Sequence, residues 1–215
     1  IYPATMHNTM MFFTQKGKCY WLKVYEIPEG TKISKGRAIQ NLLNIDSDDA
    51  VTAYLRVKTL QDEAYINSHY VIFGTKNGII KKTSLEAYSR PRLNGVRAIT
   101  INENDEVIEV RLTDGKSEII MANRNGRAIR FNESKVRSMG RTAAGVKGMT
   151  LDNDGQDQII GMICGHTDDE VDILVVSEQG YGKRSSLEDY RVTNRGGKGV
   201  KTINTTEKTG KLVSI

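Results

Sequence analysis

The residues of this 215-residue chain best suited to chemistry are cations, and they stand at repeated positions. Four residues after one recurring glycine come Trp21, Lys82, Arg130 and Arg184. Four residues before a second recurring glycine come Lys32, Pro91, Arg141 and Arg195, with Arg90 and Arg92 flanking the proline. Two residues after that glycine come Ala38, Arg97, Lys147 and Lys201. Three of four repeats therefore carry a cation at each position, and Lys35, Arg37, Arg137, Arg191 and Lys198 lie in the same stretches. Such an array suits the neutralisation of duplex phosphates, where each contact releases counterions and adds affinity without reading sequence. The competing role, lysines that keep exposed strand edges from pairing, explains single residues better than a pattern held at three positions.

Other chemistries find little support. His7, His69 and His166 are scattered without metal-binding spacing, and His166 beside Asp168, Asp169, Glu170 and Asp172 reads as a solvated acidic loop. Cys19 and Cys164 form no Cys-x-x-Cys pair, which argues against zinc or a disulfide framework and fits a reducing cytoplasm. Gly196-Gly197-Lys198-Gly199 lacks the spacing of a phosphate loop. No acid–base or nucleophile constellation appears, so no catalytic or metal-binding residue is assigned. Apolar runs such as 173–176 are too short to cross a membrane. A net charge of +5 and a pI near 9.1 permit an acidic partner without requiring one.

The elements that position these cations are short strands. Apolar runs at 10–13, 70–73, 119–121 and 173–176 each lead into a turn on Gly17, Gly78, Gly126 or Gly180, spaced 61, 48 and 54 residues apart. A tight turn with positive φ between two such runs signals a hairpin. The second glycine follows 17 to 19 residues later, at Gly36, Gly95, Gly145 and Gly199, and is expected to open another short strand. An acidic loop and a fourth strand complete each unit: 51–57, 107–112, 159–163, and from Leu212 onward. Helix is confined to single turns such as 84–88 and 187–190. Tyr88 and Tyr190 read as core, and Trp21 as packed against a neighbouring unit. Four antiparallel strands repeated at this spacing give an all-β, propeller-like domain of about four blades, approximately 1–57, 58–112, 113–163 and 164–215, with the outer two incomplete. Val213-Ser214-Ile215 reads as a strand that continues, so the chain is expected to be a piece of a longer protein.

The charge alternates with these elements. Residues 76–97 hold six cations and one acid, 124–147 seven and one, and 181–201 six and two. Acids collect before the fourth strand, at Asp46, Asp48 and Asp49, then Glu103, Asp105 and Glu106, then Asp152, Asp154 and Asp157. Equivalent positions of successive blades should merge into one basic band and a separate acidic zone. Aromatic residues make up only 7% of the chain, which disfavours base stacking on single strands.

The run 12–28, Phe-Phe-Thr-Gln-Lys-Gly-Lys-Cys-Tyr-Trp-Leu-Lys-Val-Tyr-Glu-Ile-Pro, resembles the first blade of the C-terminal domain of DNA gyrase A subunits, as does 35–43. The stretches Gly180-Tyr181-Gly182-Lys183-Arg184 and Asn194-Arg195-Gly196-Gly197-Lys198-Gly199-Val200 resemble a later blade, and the likeness covers essentially the whole chain. It implies a β-pinwheel whose blades exchange strands and whose basic perimeter wraps duplex DNA, so that the whole enzyme introduces negative supercoils. The implied partners are double-stranded DNA, the rest of the gyrase A subunit and the gyrase B subunit. ATP and magnesium are implied elsewhere in that enzyme, with no cofactor in this domain, which by itself is expected to be monomeric. The family's box, Gln-Arg-Arg-Gly-Gly-Arg-Gly, is expected upstream of Ile1. Its nearest relative here, 193–199, keeps Arg-Gly-Gly and the last glycine, and only a general DNA-contact role carries over to Arg195, Gly196, Gly197 and Lys198. The alternatives are the related C-terminal domain of topoisomerase IV, which binds DNA without strong wrapping, and a protein-interaction propeller.

Overall fold

The computed structural model describes residues 3–153, 155–166 and 171–215. In chain order, β1 (Thr9–Thr14), β2 (Lys18–Lys23) and β3 (Val51–Val57) are followed by a short helix α1 (Glu63–Ser68) and by β4 (Tyr70–Thr75) and β5 (Ile79–Ser84). Next come β6 (Val96–Arg97), β7 (Val107–Thr113), β8 (Glu118–Asn123), β9 (Arg127–Asn132), β10 (Val146–Lys147) and β11 (Ile159–Gly165). The last strands are β12 (Asp172–Ser177), β13 (Gly182–Ser186), β14 (Val200–Lys201) and β15 (Leu212–Ser214). Among the described residues these strands form four antiparallel sheets, ordered β3-β1-β2-β6, β7-β4-β5-β10, β11-β8-β9-β14 and β15-β12-β13.

Three expectations need correction here. The strand opened by the second glycine joins the preceding blade, so a unit of sequence is not a blade in space. Val96 pairs with Cys19, Val146 with Ile80 and Val200 with Ala128. Among the described residues the first blade consequently has four strands and the fourth has three. No strand forms after Gly36 among the described residues. Its would-be donor segment instead folds back, and Ile39, Leu42 and Ile45 cover the free face of the first blade beside Leu43, Met10 and Phe12. Helix α1 has no counterpart in the repeat pattern. Asp62 caps it by accepting from Tyr65 N at 3.1 Å.

The central strands β4 and β8 are apolar on both faces because each is sandwiched between neighbouring blades. Val71 and Phe73 face the first blade while Ile72 faces the third. Phe13 and Phe73 meet edge to face across the first joint at 5.3 Å, a geometry worth about 0.5–1.5 kcal/mol beyond area burial. On β12, Ile173 and Val175 pack toward the third blade, and Leu174 on the other face is exposed. Strands β3, β7, β11 and β15 touch in succession along the inner side. The exchanged strands β6, β10 and β14 therefore lie at the opposite, outer edge. Each is reached by a crossing segment, 89–97, 136–147 or 190–201, that runs from one blade to the blade before it.

Candidate nucleic-acid interface

The crossing segments are fixed by glycine and tyrosine. Gly95, Gly145 and Gly199 have φ of 67°, 101° and 73°. A Cβ on Gly145 would stand 2.6 Å from Ile80 O, and one on Gly199 2.3 Å from Ala128 O. Only glycine adopts that conformation at that distance. Tyr88 Oη donates to Ala98 O at 2.9 Å and Tyr190 Oη bonds Thr202 Oγ1, each sealing the segment of its own repeat. Both tyrosines are buried, and Trp21 packs into the joint between the first two blades.

Successive crossing segments are tied to one another. Thr100 N donates to Ala143 O at 3.2 Å and its Oγ1 to Thr142 O at 2.6 Å. Thr150 repeats both bonds one blade later, to Gly197 O at 2.9 Å and Gly196 O at 2.6 Å. The three segments thus form one continuous outer band.

On this band Arg90, Arg92, Arg97, Arg137, Lys147, Arg191 and Lys201 are exposed. None of them pairs with a described carboxylate. Arg141 and Arg195 are half-buried latches as well as charges. Arg141 Nη1 donates to Ala87 O at 3.4 Å, and Arg195 donates to Lys135 O and Lys147 O at 3.0 Å each. Lys198 lies 3.7 Å from Asp152. Lys32, Lys35 and Arg37 are exposed on an irregular segment that belongs to no sheet.

Two groups expected to face DNA do not. Lys82 is buried, with Nζ 2.8 Å from Glu133 Oε2, and Glu133 also accepts from Thr113 Oγ1 and Ser117 N. Arg130 is buried against Glu118 at 3.3 Å and donates to Leu187 O and Tyr190 O at 2.8 and 3.2 Å. These cations join one blade to the next, because a buried charge must find partners. Arg184, their counterpart in the fourth blade, is exposed and meets Asp172 at 3.2 Å. Gly196 N is likewise taken, donating to Gly148 O at 2.6 Å, so it is not free for a phosphate.

The acidic loops sit at the hairpin turns and neutralise the cations there. Asp49, Asp105 and Asp157 accept from Lys16 N, Asn77 N and Asn125 N at 3.1, 2.9 and 3.3 Å. Lys18 bonds Asp46 at 2.6 Å, which raises its pKa, and Lys16 holds the Asp48 carboxyl below its usual range. Lys76 pairs with Glu106 at 3.3 Å and Arg124 with Glu178 at 2.8 Å. Asp154, Asp168, Asp169 and Glu170 lie outside the described residues, and His166 faces Asp114 at 3.6 Å. Among the described residues no helix is long and apolar enough to cross a membrane and no group of His, Cys, Asp and Glu could hold a metal ion.

A model of the DNA gyrase C-terminal domain, a β-propeller family, matches residues 8–58, 69–114, 117–165 and 172–215. The chain belongs to this family. Those four segments contain the inner three strands of the four blades in turn. Among its relatives, the DNA gyrase A subunit of Staphylococcus aureus (strain NCTC 8325 / PS 47) is 43% identical over 209 residues. Its equivalent from Staphylococcus epidermidis (strain ATCC 12228 / FDA PCI 1200) is 44% identical over the same length. Either match covers 97% of this chain and 23% of the relative, so the chain spans under a quarter of their length. The crystal structure of the C-terminal domain of DNA topoisomerase IV superposes with a TM-score of 0.82 at 29% identity, covering 97% of this chain and 62% of that one. The structure of a DNA gyrase A C-terminal domain shares the fold at a TM-score of 0.79 and 24% identity, covering 99% and 67%. The gyrase-family likeness agrees with the four propeller-type blades, the first three of which carry exchanged outer strands.

Proposed function

We propose that the chain binds duplex DNA without sequence specificity and bends or wraps it along the band of crossing segments, as the wrapping module of a gyrase-type A subunit. The observation that carries this reading is the band itself, three segments tied edge to edge whose exposed arginines and lysines, Lys198 apart, have no described acidic partner. Bending a duplex by 40–90° costs roughly 1–6 kcal/mol, which several phosphate contacts on a curved edge can offset. The module acts with the remainder of the gyrase A subunit and with the gyrase B subunit in the bacterial cytoplasm, where ATP and magnesium serve other parts of the enzyme and no cofactor is needed here.

The test compares affinity for duplexes of about 15 bp and about 150 bp, the longer being one persistence length, across a salt titration. Tighter binding to the long duplex beyond its extra sites, with a steep negative salt slope, is expected. The variant Arg97→Gln/Lys147→Gln/Lys201→Gln should flatten the slope by roughly 0.9 for each phosphate it no longer neutralises. Affinity indifferent to length and salt would contradict the reading. The topoisomerase IV likeness, at the higher TM-score and identity, favours a second reading in which the band binds DNA without wrapping it.

A further inference from the structure

Cations are spread along the band, but at one junction three guanidinium groups share a single cleft. Arg90 and Arg92 of the second repeat and Arg141 of the third line a polar cleft of about 480 Å³ with Glu86, Ala87 and Thr142. Pro91 fixes its own φ and disfavours helical backbone at Arg90. The opposite wall is fixed too, since Thr142 O accepts from Thr100 Oγ1 and Arg141 is anchored on Ala87 O.

Glu86 is the one described carboxylate on the cleft, and it forms no ion pair with the three arginines. Behind Arg141, Lys81 is completely buried and donates to Ala98 O and Arg141 O. Burial, with the Arg141 charge adding to it, lowers the Lys81 pKa to about 7. The cleft is thus positive on balance, three guanidinium groups standing against the single carboxylate of Glu86. The next junction is built differently. Gly140 and Thr142 stand where Arg90 and Arg92 do here, and Arg195 is spent on two carbonyls.

We propose that this cleft is a discrete phosphate-binding site, in which Arg90, Arg92 and Arg141 hold the duplex backbone at one fixed point of the band. Guanidinium groups suit the task because each presents paired N–H donors to phosphate oxygens. The inference rests on the DNA-binding reading for its working ligand, while the geometry selects phosphate-class anions in general.

Calorimetry with pyrophosphate and with a 150-bp duplex, on the 215-residue chain, separates the two. Pyrophosphate should saturate one site, bind at least tenfold more weakly to Arg90→Gln/Arg92→Gln, bind more tightly to Glu86→Gln, and be indifferent to Lys147→Gln/Lys201→Gln. Both arginines are exposed, so an unchanged circular dichroism spectrum is expected of their variant. Pyrophosphate binding that never saturates, or that both double variants weaken equally, would refute the discrete site even if the duplex still binds. Saturable, arginine-dependent pyrophosphate binding without any duplex binding would uphold the anion site and remove DNA as its occupant.

Discussion

Position along the repeat does not decide what a cation does, but its neighbours do. Lys82, Arg130 and Arg184 occupy one offset from the hairpin glycine, yet the first two are buried staples and the third is exposed. The clue lies in Glu133, which stands seven residues after its hairpin glycine where the other repeats have Val24, Leu85 and Leu187. An acid at a core position demands a buried partner, and Lys82 supplies it. Lys82→Met alone should cost about 3–5 kcal/mol in a denaturant titration, because it strands the Glu133 charge. Lys82→Met/Glu133→Leu should recover most of that loss. Equal destabilisation by the single and double variants would mean the pair is not the source of the cost.

At the scale of elements, the hairpins are legible in the sequence because a turn glycine between apolar runs has few other uses. The destination of β6, β10 and β14 is not legible from spacing. A two-residue strand has no pattern of its own, and chain order does not say which sheet edge it joins. That information resides in close approaches such as Gly199 to Ala128 O, which exist only once two repeats meet. The family resemblance supplied the exchange that periodicity could not. Gly36 offers the matching control, since its φ is 71° but a Cβ there would meet nothing within 4 Å. Gly36→Ala should therefore lose only the conformational cost, about 1–2 kcal/mol. Gly199→Ala should lose more and should expose the outer edge of the third blade to hydrogen exchange. Equal losses at the two positions would show that strand exchange contributes little to stability.

For the whole molecule, the division of charge follows from the division of labour among segments. Acids at the hairpin end cap turns and pair with the cations beside them, whereas the crossing segments, Lys198 apart, keep their exposed cations free of described carboxylates on the outer edge. A net charge of +5 understates the field of that edge because the acids are held elsewhere. The sequence already separates basic stretches from acidic loops. What folding adds is the tie between consecutive crossing segments through Thr100 and Thr150, which turns three basic stretches into one surface.

If this surface bends DNA around itself, the bound chain must change the linking number of closed circular DNA. Nicked circular DNA would be sealed by ligase with increasing amounts of the chain bound, then stripped of protein and resolved by topoisomer. Wrapping predicts a shift of the topoisomer distribution that grows with bound protein and is lost in Arg97→Gln/Lys147→Gln/Lys201→Gln. An unshifted distribution on DNA saturated with the protein would contradict it, leaving a band that binds the duplex without wrapping it.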